Sequence, residues 1–298
     1  MLKRLIVLST VLGALPAYAD DPKYEYGKAE EVAKVKTVEH SASAEGGIVF
    51  TTGNSETTTA TGGAKWSRKK NDNKLAAEGS LTYARAGLRV LDDKNGNGLI
   101  DNETEIRTEK QVTAETYAAK LRYDRFLTGR NSLYLAGLVS RDKPAGKLLV
   151  LGAQVGYSRV FHKSEHTEAV AEVGINYDNE DLVAGDNLSF ISARGYIGVK
   201  SEMTPGTTFE TSGELLTNLT EETLPTGKDG GIGKDTRFNF KASVSAKIGK
   251  NLSFQTSIEA KYDHRPGPLA LKNLAMGFVP EASTLDTIMK ASLIYTIL

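Results

Sequence analysis

From about residue 41 to the C-terminus, apolar and polar residues alternate with a period of two. Phe238, Phe240, Ala242, Val244, Ala246 and Ile248 alternate with Arg237, Asn239, Lys241, Ser243, Ser245 and Lys247. Leu252, Phe254, Thr256, Ile258, Ala260 and Tyr262 alternate in the same way with Ser253, Gln255, Ser257, Glu259, Lys261 and Asp263. On a helix these charges would be smeared around the circumference, whereas on a strand they share one face. Only Gly249-Lys250-Asn251 separates the two runs, which predicts a hairpin.

The same pattern predicts about twelve strands, at 41–52, 57–67, 74–86, 111–126, 131–141, 147–161, 167–179, 188–201, 207–219, 235–248, 251–264 and 284–298. Most run about 11 to 16 residues, longer than the roughly five or six of soluble sheets and enough for a tilted membrane crossing. The connections alternate as well. Arg68–Asn73, Leu127–Arg130, His162–His166, Met203–Gly206 and Gly249–Lys250 are short and fall at one end. Residues 87–110, 180–187, 220–234 and 265–283 are longer and fall at the other, where only Gly53–Glu56 and Asp142–Gly146 are short. A water-soluble sandwich, the competing reading, has no reason to gather its long loops at one end. An antiparallel transmembrane β-barrel of about twelve strands does: short periplasmic turns, longer extracellular loops, and both termini on one side. Trp66, Phe50, Tyr83, Tyr117, Tyr123, Tyr157 and Phe209 lie near strand ends, as interfacial girdles would.

Composition removes other classes. The 37 Lys+Arg balance 37 Asp+Glu, which argues against a nucleic-acid partner. There is no Cys, hence no disulfide scaffold and no thiolate metal site. A mean hydropathy of −0.31 excludes a bundle of apolar membrane helices. It does not exclude a barrel, whose polar face is hidden inside.

Residues 1–19 read as a secretory signal: Lys3 and Arg4, an apolar run from Leu5 to Leu15, then Ala17-Tyr18-Ala19, with cleavage expected after Ala19. Residues 20–40 are polar and lack strand alternation, and read as a periplasmic lead segment before a barrel spanning 41–298. The expected location is the bacterial outer membrane, with its lipids and the barrel-assembly machinery as partners.

On the predicted register the inward face carries Lys65, Lys120, Arg122, Arg194, Lys200, Arg237, Lys241, Lys247 and Lys261. Against them stand Glu45, Glu78, Asp124, Glu168, Glu172, Glu210, Glu214, Glu259 and Asp263. Lys65, Lys120, Arg122, Glu172, Arg194, Glu210, Glu214, Arg237, Lys241, Glu259 and Lys261 are the predicted lumen-lining set. Burying unpaired ions costs several kcal/mol each, roughly, so these groups are paired, hydrated or both. A salt-bridged filling and a water-filled pore for small solutes or ions both satisfy that. A ring of one sign would have pointed to ion selectivity, and the balance does not.

The loop at 87–110 holds Asp93-Lys94-Asn95-Gly96-Asn97-Gly98-Leu99-Ile100-Asp101, the spacing of a Ca²⁺ loop. Asp93, Asn95, Asn97 and Asp101 supply oxygens, Leu99 a backbone carbonyl and Gly98 the turn. Thr104 stands where a bidentate acid is expected, flanked by Glu103 and Glu105. Weak Ca²⁺ binding is one expectation, and an ion-free polar turn the other.

Enzyme signals are sparse. His162 and His166 share a predicted turn with Glu165, and His264 sits at a rim beside Asp263 without a nucleophile signature. Gly227–Gly233 is Gly-rich but precedes a strand rather than a helix, so it is no phosphate loop.

Glu45-Gly46-Gly47-Ile48-Val49-Phe50-Thr51-Thr52-Gly53-Asn54-Ser55-Glu56-Thr57-Thr58 resembles the opening hairpin of the salt-induced outer-membrane protein family (the YdiY-like domain of unknown function). Arg122-Tyr123-Asp124-Arg125-Phe126, Arg141-Asp142, Gly152 and Gly156-Tyr157 resemble its central stretch, giving coverage of about residues 41–298. The acidic 87–110 insertion and the ending Tyr295-Thr296-Ile297-Leu298, without a terminal aromatic, depart from it. The resemblance implies an outer-membrane location and little biochemistry. Two functions follow as expectations: a passive pore or structural envelope protein with a charge-balanced lumen, salt- or Ca²⁺-responsive through its loop, and not an enzyme; or a barrel enzyme hydrolysing lipid or peptide at the extracellular rim.

Overall fold

The computed structural model describes residues 35–51, 56–91, 106–143, 145–183, 187–223, 229–267 and 283–297. Twelve long antiparallel strands form a closed barrel: β1 (Val35–Thr51), β2 (Glu56–Asn71), β3 (Asn73–Leu91), β4 (Ile106–Thr128), β5 (Asn131–Asp142), β6 (Lys147–Lys163), β7 (Thr167–Leu182), β8 (Leu188–Thr204), β9 (Thr207–Asn218), β12 (Thr236–Lys247), β13 (Leu252–Asp263) and β14 (Leu285–Thr296). Two short strands, β10 (Glu222–Thr223) and β11 (Asp229–Gly230), pair in the connection between β9 and β12. Each long strand pairs with its chain neighbour, and the ring closes where Ser43–Gly46 of β1 meets Leu293–Thr296 of β14. Among the described residues the seam is short, four residue pairs against ten or more at the other strand pairs of the ring.

Twelve strands stand where the alternation puts them. The ends differ at the first two hairpins. β1 starts at Val35, so residues 35–40 are strand rather than lead segment. β3 and β4 pair on to Leu91 and Ile106, five residues beyond each predicted end. Backbone pairing there runs on past the stretches whose alternation marks them in the sequence. The turn at Asp72 is tight enough to hold Asn71 at φ 52°, and Gly206 turns β8 into β9 at φ 82°. Asn and Gly are the residues that tolerate these angles.

The two faces separate cleanly. On β4, Lys120, Arg122, Asp124 and Phe126 are buried while Leu121, Tyr123, Arg125 and Leu127 are exposed. On β5, Tyr134 and Ala136 are buried while Leu133, Leu135 and Val139 are exposed. The exposed set continues around the ring with Val155, Val173, Ile175, Ile197, Leu215, Phe240, Phe254 and Leu293. Apolar patches on water-soluble monomers rarely exceed a few hundred Å². A belt of this extent is a surface for hydrocarbon, and the paired charges of the middle of the strands lie on the other side of the sheet.

Candidate functional site

Contacts between strands that are not neighbours in the sheet must cross the interior, and they show what fills it. A row of register partners crosses five successive strands: Asp124 on β4, Tyr134 on β5, Gly156 on β6, Gly174 on β7 and Arg194 on β8. The two glycines leave a slot in which the Tyr134 ring lies flat across β6 and β7. A Cβ on Gly156 would collide with the Tyr134 hydroxyl and the Val173 carbonyl, and one on Gly174 would sit 2.7 Å from that hydroxyl. At the far side of the slot, Arg194 Nη1 donates to Tyr134 Oη at 2.7 Å.

Tyr134 is the floor of an ion network. The Arg122 guanidinium lies 4.2 Å from its ring centroid, within cation–π range. Arg122 donates to both Asp124 oxygens from Nε at 3.0 Å, and from Nη2 to Asp124 Oδ1 and Glu172 Oε1 at 2.7 Å each. Arg194 donates from Nη1 to Glu172 Oε2 at 2.8 Å and from Nε to Glu214 Oε1 at 2.5 Å. Asn239 Nδ2 extends the chain to Glu214 Oε2 at 3.1 Å. Glu172 thus bridges two arginines from β4 and β8, and its side chain is 0% exposed. Beside the network, Lys120 faces Glu78 at 3.8 Å.

A second cluster sits at the long-loop end. Arg237 reaches Asp178 and Glu180 at 3.3 Å each, and Lys147 reaches Glu180 at 2.9 Å and Asp263 at 4.0 Å. Asp235, in the connection ahead of β12, lies 3.9 Å from Arg237; burial pushes its carboxyl upward while the guanidinium pulls it down. Toward the turn end, Lys241 and Lys290 flank Glu259 at 3.0 and 3.8 Å, and Lys200 pairs with Glu210 at 3.0 Å.

The interior is therefore divided. Short of the long-loop end, the side walled by β4 to β8 is filled by the Arg122–Glu172–Arg194 network. The side walled by β1, β2, β9 and β12–β14 holds a cavity of about 480 Å³ lined by Ser41, Ser43, Glu45, Lys65, Glu210, Ser243, Ser245, Gln255 and others. A smaller one of about 130 Å³ lies at the long-loop end among Asn176, Asp178, Glu180 and Arg237. Asn239 and Lys261 line both.

The eleven lumen residues expected from the sequence lie as follows. Arg122, Glu172, Arg194 and Glu214 join in one network, and Lys120 packs beside it with Glu78. Arg237 belongs to the long-loop cluster. Lys65, Glu210, Lys241, Glu259 and Lys261 line the larger cavity. Sequence reasoning passed over Tyr134, Lys147, Asp178, Glu180 and Lys290. Asp178 and Glu180 share the parity of Glu172 on β7, so strand phase alone would have found them; Tyr134 carried no such signal, because an inward tyrosine needs a partner that only the fold supplies. Asp93, Asn95, Asn97, Leu99, Asp101, Glu103 and Glu105 lie outside the described residues, as do residues 1–34. Asp263 and His264 part company. Asp263 accepts from the Arg265 backbone N–H at 2.9 Å and faces Lys147, whereas His264 Nδ1 lies 3.1 Å from the Tyr262 hydroxyl on the outer side.

The sequence matches the family described as "Protein of unknown function, DUF481" over residues 44–296. The chain belongs to this family. The match spans the barrel from the β1 strand to the last residue of β14, the coverage that the opening hairpin and the Arg122–Phe126 stretch pointed to. No curated protein matches the chain. Solved structures with a similar layout include the NanC porin (10% identity, covering 87% of this chain and all of that one, TM-score 0.45). Others are the translocator domain of the autotransporter NalP from Neisseria meningitidis (12%, 90% and 91%, 0.40) and an anion-selective porin from Comamonas acidovorans (8%, 88% and 99%, 0.38). At such identities and scores they add nothing to the barrel already described.

Proposed function

We propose that this protein is an outer-membrane β-barrel that passes small hydrophilic solutes or ions passively along one side of its interior. In this reading the chain is exported on residues 1–19, and the barrel-assembly machinery inserts it with its turns in the periplasm. The apolar belt and the gathering of long connections at one end support the location. The observation that carries the conduit is the sharing of Asn239 and Lys261 between the two polar cavities, which lie on either side of the Arg122–Glu172–Arg194 filling. Such a path is narrow, and its conductance is set at those two side chains. In planar bilayers the wild type is expected to give small, voltage-tolerant steps. N239A/K261A is expected to raise the step size by roughly twofold or more, because pore width sets conductance. Silence of both proteins across a wide voltage range would refute the conduit.

Ca²⁺ binding by the 93–105 loop is proposed on its ligand spacing alone. After EDTA treatment, millimolar CaCl₂ is expected to raise the melting temperature, and D93N/D101N to abolish the rise. An unchanged melt in the wild type leaves the loop an ion-free turn.

A further inference from the structure

Five basic residues gather on the outer surface at the turn end: Arg68 and Lys70 on β2, Arg125 on β4, Arg130 in the β4–β5 turn and Arg159 on β6. All five are exposed. Their direction is fixed by their neighbours. Arg68 and Lys70 flank buried Lys69, Arg125 lies between buried Asp124 and Phe126, and Arg159 between buried Ser158 and Val160. Register sets them side by side: Lys70 pairs with Asn73, Asn73 with Arg125, and Arg159 with Asn131, next to Arg130.

Arg125 is anchored by an amide rather than by an acid, and amides and hydroxyls order the residues around it. Tyr123 Oη and Arg125 Nη1 both donate to Asn73 Oδ1, at 2.6 and 3.0 Å. Tyr157 Oη donates to Asn131 Oδ1 at 2.5 Å, and Asn131 Nδ2 donates to Thr128 Oγ1 at 2.6 Å. Among the described residues no carboxylate pairs with any of the five. The rest of the rim differs. The outward positions near the turns of β8, β9 and β12–β14 are residues such as Ser201, Phe209, Ala246, Phe254 and Tyr295, with no lysine or arginine.

Depth points to the ligand. Tyr123 and Tyr157 are aromatic groups of the kind that sit at a membrane interface. Arg125 and Arg159 follow each by two residues toward the turn, about 7 Å further along the strand, at headgroup level. Guanidinium forks match the oxygens of a phosphate, and five clustered cations favour a headgroup of net negative charge over a zwitterionic one. We propose that this sector binds the phosphates of anionic glycerophospholipids in the leaflet on the turn side. The proposal rests on the reading of the chain as a membrane-spanning barrel.

Native mass spectrometry of the purified barrel, loaded from an equimolar mixture of phosphatidylglycerol and phosphatidylcholine, tests it. The wild type is expected to retain phosphatidylglycerol over phosphatidylcholine by about tenfold, the factor that little more than one phosphate contact supplies. R125Q/R130Q/R159Q is expected to fall to near parity, and R159Q alone to lose about half the preference or more. K247Q/K250Q removes basic groups at the same end but outside the sector, and is expected to keep it. Heat-modifiable electrophoretic mobility reports which variants are folded. Parity in the wild type, or a preference that survives in the folded triple variant, overturns the proposal. A wild type that fails to insert into phosphatidylcholine vesicles overturns the membrane reading instead, so the two failures are distinguishable.

Discussion

Glu172→Leu is expected to destabilise the barrel by about 3–5 kcal/mol, the range for removing one partner of a buried ion pair. Glu172 accepts from Arg122 and from Arg194, on strands that are not neighbours in the sheet, and none of the three has water to turn to. Leucine fits the volume but leaves two guanidiniums short of a counter-charge in a closed pocket. Asp124 and Glu214 each hold one arginine already and cannot replace the bridge between them. Glu172→Gln keeps the shape and one acceptor oxygen, and is expected to cost less than leucine. Trp66 is the sole tryptophan, so its fluorescence reports urea unfolding in phospholipid vesicles without interference. A leucine variant as stable as the wild type would mean that water already hydrates the network.

Gly174→Ala is expected to cost about 1–3 kcal/mol, the range for overpacking a filled interior, and to dislodge Tyr134. The added methyl would sit 2.5 Å from the Val155 carbonyl and 2.7 Å from the Tyr134 hydroxyl. The first is backbone of a paired strand and cannot swing away. The tyrosine can, but then it gives up the Arg194 hydrogen bond and the face it offers Arg122. Gly137 and Gly195 make the control, because a Cβ at either meets nothing within 4 Å. Alanine there is expected to be neutral or slightly stabilising, since it narrows the unfolded ensemble. Urea midpoints for the three variants check this, and equal midpoints would sink the slot. Tyr134→Ala combined with Gly174→Ala is expected to cost less than the sum, since the two act on one contact.

Much of this protein is legible from strand phase. Successive side chains on a strand point to opposite faces, so one correctly phased residue assigns the rest of its strand. Asp263 and Tyr262 go to opposite faces for that reason, and with them Asp263 and His264 separate. Phase also gives the outward placement of Arg125 and Arg159, although nothing local marks them as a group. They become one sector through the register of β2 to β6.

Alternation and connection length were enough for the barrel, its strand number and the end that carries the long connections. Both are local properties of the chain. The closed ring was needed to join Arg122, Glu172 and Arg194 in one bridge and to lay Tyr134 across Gly156 and Gly174. It also decided that an ion network fills part of the interior and leaves two cavities that share Asn239 and Lys261. Those facts depend on distances across the lumen between strands far apart in sequence. Such distances follow from the stagger at which twelve strands close into a ring, and no single strand contains it.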